Sequence, residues 1–276
     1  MLPMRARFAA TLLFLLVAGC LLLPGKFTSE LTVTRDGAFA FTYQGAIHVL
    51  ALSKAAEDAK DDAPFKPQPV CKDDSEPIDN CSYDTEEIQR KNWESSQESA
   101  KTKMKQDAEM ARQMLGGIDP SDPRAAEELA ERMRKQVGWK SVTYAGDGKY
   151  VVDFAIAGRL DHDFSFPSLE RMPVAAPFVA IYRRADGSVR IDAPAFSPGA
   201  NGGPVGAMMQ GMGGEKSASK GMPELDGSFA ILTDGEILAN NTDDGPQPGA
   251  AGMRRLAWKV TPRTAAAPTA LIRLGR

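Results

Sequence analysis

Few side chains in this sequence could do chemistry, and they lie far apart. His48 sits beside Val49 in a stretch that alternates apolar and polar residues, where an imidazole is a strand side chain before it is a catalyst. His162 lies in Asp161-His162-Asp163, a triplet that could orient an imidazole or offer oxygen ligands to a metal. Consecutive side chains on an extended segment point to opposite faces, so the three cannot converge on one ion. Met208, Met209, Met212 and Met222 belong to a Gly-rich segment, 197–225, whose soft thioether sulfurs suit Cu(I), although no His or Cys accompanies them. Three cysteines stand at positions 20, 71 and 81. There is no Gly-x-Ser-x-Gly elbow, no His-Glu-x-x-His helix and no phosphate-cradling Gly loop, and no spacing among the acidic residues selects a carboxylate pair. No catalytic residue, cofactor or metal ligand is therefore assigned, and the expectation is a protein that is not an enzyme.

The N-terminus speaks to address. Arg5 and Arg7 precede an apolar stretch from Phe8 to Ala18, the pattern of an export signal. Its end, Val17-Ala18-Gly19-Cys20, resembles the lipobox of bacterial lipoproteins. That resemblance implies a diacylglyceryl group on the Cys20 thiol, removal of residues 1–19 as a signal peptide and acylation of the new N-terminus. Several acyl chains together exceed the two-signal threshold for stable anchoring. Leu21 rather than Asp follows Cys20, which by the same resemblance favours the periplasmic face of the outer membrane. The competing reading is a plain apolar anchor from Phe8 to Leu23 with Cys20 merely buried in it, but that run falls short of the ~20 residues that span a bilayer.

With Cys20 given to lipid, Cys71 and Cys81 remain as an even pair in an oxidising compartment, and a disulfide is expected. Closing that short loop is worth roughly 2–3 kcal/mol by chain entropy. Metal ligation by the two lacks a His or third Cys to complete a tetrahedral site. The formal net charge of −3 and pI near 5.6 leave no surplus of Lys and Arg for phosphates, so nucleic acid is not an expected partner. The expected partners are the membrane, through acylated Cys20, and an envelope lipid or protein.

The elements that must carry these residues follow from periodicity. Leu31 and Val33, the Asp36-Gly37 turn and Phe39, Phe41 and Tyr43, continued by Ile47, Val49 and Ala51, predict a long hairpin. Residues 53–83 turn to Lys, Asp, Pro and Ser without a period, a surface excursion held by the Cys71–Cys81 pair. Asp84 with Glu87 has the capping-box form, and a charged helix is expected to run to Leu115 before Gly116-Gly117. Its apolar residues (Ile88, Trp93, Met104, Ala108, Ala111) are sparse, which predicts a solvated, projecting helix. A coiled coil is the sharper reading, but heptads are not sustained. Segment 53–117 is thus an insertion. Pro123 suits a second helix start, after which Ala125, Leu129, Met133 and Val137 form one stripe ended by Gly138. Strands are then expected around Val142–Tyr144, Tyr150–Ile156, Phe178–Tyr182, Val189–Ile191, Phe229–Leu232, Ile237–Leu238, Leu256–Val260 and Ala270–Ile272. Without βαβ alternation the class is α+β: a mainly antiparallel sheet with one packed helix and one long charged helix, in a single domain over 20–276.

The run Thr233-Asp234-Gly235-Glu236-Ile237-Leu238-Ala239-Asn240-Asn241, then Leu256-Ala257-Trp258-Lys259-Val260 and Ala270-Leu271-Ile272, resembles the end of the mycobacterial LppM-type lipoprotein domain. The Asp36-Gly37 hairpin and Gly138-Trp139 leading to Val152-Asp153-Phe154 fit the same plan. Asp234 stands where that family has a Pro, and the 53–117 segment and Met-rich loop have no counterpart. The resemblance implies a lipid-anchored α+β domain with a curved sheet, enclosing an apolar groove for envelope lipids, and carries no catalytic residues over. A pocket lined by Phe39, Phe41, Tyr150 and Phe154 without convergent titratable groups would favour lipid binding over hydrolysis. The functional expectation is a non-enzymatic binding lipoprotein. Copper handling through the Met-rich loop is the alternative, and an envelope hydrolase with dispersed carboxylates ranks behind both.

Overall fold

The computed structural model describes residues 22–53, 65–66, 83–172, 177–197 and 223–275, with side chains of the long helix from Glu87 onward. Among them two sheets dominate. The larger has seven strands in the order β10-β11-β8-β1-β2-β4-β3, formed by β1 (Leu22–Val33), β2 (Ala38–Val49), β3 (Trp139–Tyr144), β4 (Lys149–Arg159), β8 (Asp226–Thr233), β10 (Gln247–Pro248) and β11 (Arg254–Val260). The smaller runs β5-β6-β7-β12-β9, from β5 (Phe164–Phe166), β6 (Val179–Arg183), β7 (Ser188–Asp192), β9 (Glu236–Asn240) and β12 (Thr269–Arg273). Pairing is antiparallel except where β8 lies parallel to β1, from Lys26 opposite Asp226 to Val33 opposite Thr233. The architecture is strand-dominated and mainly antiparallel, but it has two sheets where the sequence suggested one. Asp234-Gly235, which reads as a hairpin turn, is instead the corner at which the chain leaves the large sheet and enters the small one.

The β1–β2 hairpin differs from its sequence reading at both ends. β1 begins at Leu22, well before the alternation becomes visible, because Pro24-Gly25-Lys26 interrupts the period. Leu22 is buried opposite Val49, so Leu22 and Leu23 belong to a strand rather than to an apolar N-terminal anchor. The register slips between Pro24 and Phe27, and Gly45 sits across that bulge with φ +152°, where a Cβ would lie 2.3 Å from the Lys26 carbonyl oxygen. At the other end β2 stops at Val49 and the chain turns helical, so Ala51 does not continue the strand.

The inner faces of the two sheets share one aromatic core. Phe41 and Tyr43 of the large sheet meet Phe166 at 5.1 and 5.0 Å between ring centres, and Tyr43 meets Phe178 at 5.7 Å. Phe196 stacks on Phe27 at 4.3 Å. Helix α2 (Ala125–Arg134) buries Ala125, Ala126, Leu129, Ala130 and Met133, and Tyr150 donates its hydroxyl to the Ala126 carbonyl at 2.9 Å. Val137 does not extend that stripe. The helix has ended, and Val137 is 83% exposed in the turn ahead of Gly138, whose φ of +95° swings the chain into β3. Helix α1 (Tyr83–Met114) ends in left-handed Gly116 and Gly117, with the Gly117 N–H donating to the Arg112 carbonyl at 2.8 Å. Just beyond it Leu115 and Ile118 are buried, while Ile88, Met104 and Met110 are exposed. Among the described residues no helix is long and apolar enough to cross a membrane.

Candidate functional site

Cys20, Cys71, Cys81 and the Met-rich loop lie outside the described residues, as does most of the excursion between them. What the structure places is the rim of the large sheet where β1 begins, two residues after Cys20 in the sequence. β1 starts there at Leu22, Leu23 lies opposite His48, and His48 lies opposite Lys149 of β4. The Val49 N–H donates to the Gly148 carbonyl at 2.8 Å, and the Ser53 hydroxyl donates to the Asp147 carbonyl at 2.7 Å. His48 is half-buried, and burial, then the Lys149 charge, lower its pKa below the usual 6.5. That imidazole is a half-buried strand residue.

The Asp161-His162-Asp163 triplet is used to hold the β4–β5 connection. The Asp163 carboxylate accepts the Arg183 N–H at 2.8 Å, and the Asp161 carbonyl accepts the Arg183 guanidinium at 3.2 Å. Among the described residues no three His, Cys, Asp or Glu side chains gather closely enough to hold a metal ion.

Several carboxylates have lowered pKa values, each from local hydrogen bonds. Asp36 is stabilised as the anion chiefly by the Thr34 hydroxyl, Asp119 by the Ser121 hydroxyl, Asp122 by the Arg124 N–H and Asp186 by the Ser188 hydroxyl. These are turns in which a side chain mimics backbone. Their pKa values move away from the neutral range that a general acid or base needs.

The four aromatic residues whose lining of a pocket would favour lipid binding each pack against other rings. Phe41 and Tyr150 are fully buried, Phe154 nearly so, and Phe41 lies 6.2 Å from Phe154 and 5.5 Å from Phe164, which also covers Phe39 at 5.2 Å. The rings fill the space between the sheets. Two clefts among the described residues lie elsewhere, the first with a mainly polar lining and the second with a mainly apolar one. One, about 460 Å³, opens at the β1–β8 seam between Lys26, Thr28, Gln44, Asp226 and Ser228. The other, about 300 Å³, lies on the small sheet over Ala239, Ala270 and Leu271, with Arg184, Arg190 and Asn240 at its edges. Neither was legible in the sequence, because each includes strands paired across more than 70 residues, β1 with β8 and β7 with β12.

No protein-family model and no curated protein matches the chain. Among solved structures it is similar to the folded domain of LppM from Mycobacterium tuberculosis, determined by NMR, at 13% identity over 92% of each chain with a TM-score of 0.32. A likeness that distant says nothing about ligand or activity.

Proposed function

We propose that this chain is an exported, lipid-anchored cell-envelope protein, held by an acylated Cys20 on the periplasmic face of the outer membrane, that works as a non-enzymatic binding module. The observation that carries this reading is the position of Leu22. β1 opens there, buried against its partner strand, so cleavage immediately ahead of Cys20 leaves every described strand whole. The fold then begins two residues from the acylated thiol with no spacer, which holds the rim around His48 and Lys149 close to the headgroups.

Binding at a surface, to a protein partner, fits better than enclosure of a lipid, since the aromatic residues between the sheets pack on one another. What supports a non-enzymatic role is that the carboxylates with perturbed pKa values are held as anions by turn hydrogen bonds, and both histidines are tied into strands or their connections. The test is mass spectrometry of the mature N-terminus with membrane fractionation of wild type and Cys20→Ser. Acyl mass on Cys20, and loss of membrane partition in the variant, are expected. An unmodified Cys20 would end the anchoring reading. Lipid co-purifying stoichiometrically with the Cys20→Ser protein would replace the surface reading with an enclosed one.

A further inference from the structure

Helix α1 carries a face whose charges are complementary to themselves. Taken inward from its two ends, Glu87 answers to Arg112, Arg90 to Glu109, Glu94 to Lys105 and Glu98 to Lys101, each pair opposite in sign and each equidistant from a point between Ser99 and Ala100. These positions follow one another at steps of three and four, the spacing that keeps side chains on one side of an α-helix, and every one is exposed. Turned end to end about that point, a second helix of the same sequence sets each acid opposite a base.

Within one helix the centre of this face mixes like and opposite neighbours, Glu98 and Lys101 being opposite in sign three residues apart. Glu94 and Glu98 are like charges four residues apart, as are Lys101 and Lys105, and such neighbours destabilise a helix. Among the described residues none of these four makes an ion pair, whereas near the ends Glu87 reaches Lys91 at 3.2 Å and Glu109 reaches Arg112 at 3.8 Å. The helix spans 32 residues, about 48 Å at 1.5 Å per residue. Its described packing lies at the C-terminal end, through Leu115 and Ile118, and near the N-terminal end, where Trp93 meets Phe65 at 5.6 Å and Arg90, one of the eight charges of this face, covers that ring at 5.4 Å.

We propose that α1 is a homodimerisation arm, pairing antiparallel with α1 of a second copy about a two-fold axis between Ser99 and Ala100. The pairing stands independently of the anchor. Any two-fold axis places equivalent points of both copies at equal height along it, so two chains tethered in one membrane can meet this way. Because the pairs are exposed, association weakens as salt screens them.

The test measures the mass of the full chain by sedimentation as salt is varied. Two copies are expected at low salt, shifting toward one as salt rises. Lys101→Glu with Lys105→Glu in one variant, and Glu94→Lys with Glu98→Lys in another, should each give single copies, and an equimolar mixture should restore the dimer. Circular dichroism checks that each variant keeps its helix. A second measurement avoids charge reversal: chains carrying Glu94→Cys should cross-link to chains carrying Lys105→Cys and not to themselves, since two copies of position 94 lie about 17 Å apart along the axis. A wild type that stays single at every salt concentration, helical variants that remain single when mixed, or cross-linking of Glu94→Cys to itself would each overturn the proposal.

Discussion

The carboxylate of Asp234 accepts the backbone N–H of Arg35 at 2.6 Å, and the Asp234 carbonyl accepts the Arg35 guanidinium at 2.8 Å. Two residues 199 apart in sequence thus lock the β1–β2 turn to the corner where the chain changes sheets. The Gly275 N–H donates to the Arg35 carbonyl at 2.8 Å, adding the C-terminal strand's exit to the same junction. Asp234→Ala should cost about 1 kcal/mol, the net worth of an exposed charge-assisted hydrogen bond. Arg35→Ala should cost a similar amount, and the double variant close to the sum, because each removes a different hydrogen bond, the carboxylate bond to the Arg35 N–H in one and the guanidinium bond to the Asp234 carbonyl in the other. Chemical denaturation of the three proteins measures this, and a double-variant cost well below the sum would show that each bond depends on the other.

Gly45 supports the bulge that lets β1 start at Leu22. With φ at +152°, and Lys26 and Phe27 backbone atoms at 2.3 and 2.6 Å from where a Cβ would go, no side chain fits without moving β1. Gly45→Ala is expected to lose about 3 kcal/mol or more, combining backbone strain with displaced core packing at Phe27. Thermal unfolding reads this as a fall of roughly 6–12 °C. An unchanged melting temperature would mean that the bulge can relax.

Much of the hairpin was legible in the sequence because Phe39, Phe41 and Tyr43 alternate cleanly around Asp36-Gly37, and period-2 burial is a local signal. Leu22 was not, since Pro24 and Gly25 mask the period and an apolar run after Cys20 also reads as an anchor. The parallel β1–β8 pairing and the division into two sheets depend on contacts 200 residues apart, which no window over the sequence contains. Val137 continued the spacing of Leu129 and Met133, yet periodicity cannot say that a helix has ended three residues earlier. The aromatic residues whose lining of a pocket would favour lipid binding show the same limit. Their alternation established that Phe41 and Phe154 face inward, while the smaller sheet that fills the space opposite them was not read as a separate layer.

His48 makes the acid side of stability readable. Its folded pKa is lowered, first by burial and then by Lys149, so the unfolded chain binds a proton more readily. The stability it contributes is complete above the unfolded value of about 6.5 and is lost as pH falls from there through the folded pKa. His48→Gln should remove that dependence, and Lys149→Gln should reduce it by withdrawing the smaller cause. Denaturation midpoints between about pH 5 and 7.5 for the three proteins test the assignment. Parallel curves for wild type and His48→Gln would remove His48 as the source.

Tyr43 sets the corresponding limit on the alkaline side. Its ring is fully buried between the sheets, its hydroxyl donates to the Ala46 carbonyl at 2.9 Å, and burial holds its pKa well above the usual 10.0. The unfolded chain therefore releases this proton before the folded one does. Stability tied to Tyr43 is complete below about pH 10 and falls as pH rises beyond it, because only the unfolded state gains from ionisation. Tyr43→Phe should be about 1 kcal/mol less stable at neutral pH, where it gives up the hydrogen bond and leaves the Ala46 carbonyl short of a donor. The gap should narrow as pH rises past 10, since the variant has no hydroxyl to ionise at that position. Unfolding curves at neutral pH and at about pH 10.5 decide it, and a gap that stays constant would mean that the Tyr43 phenol reaches water when folded.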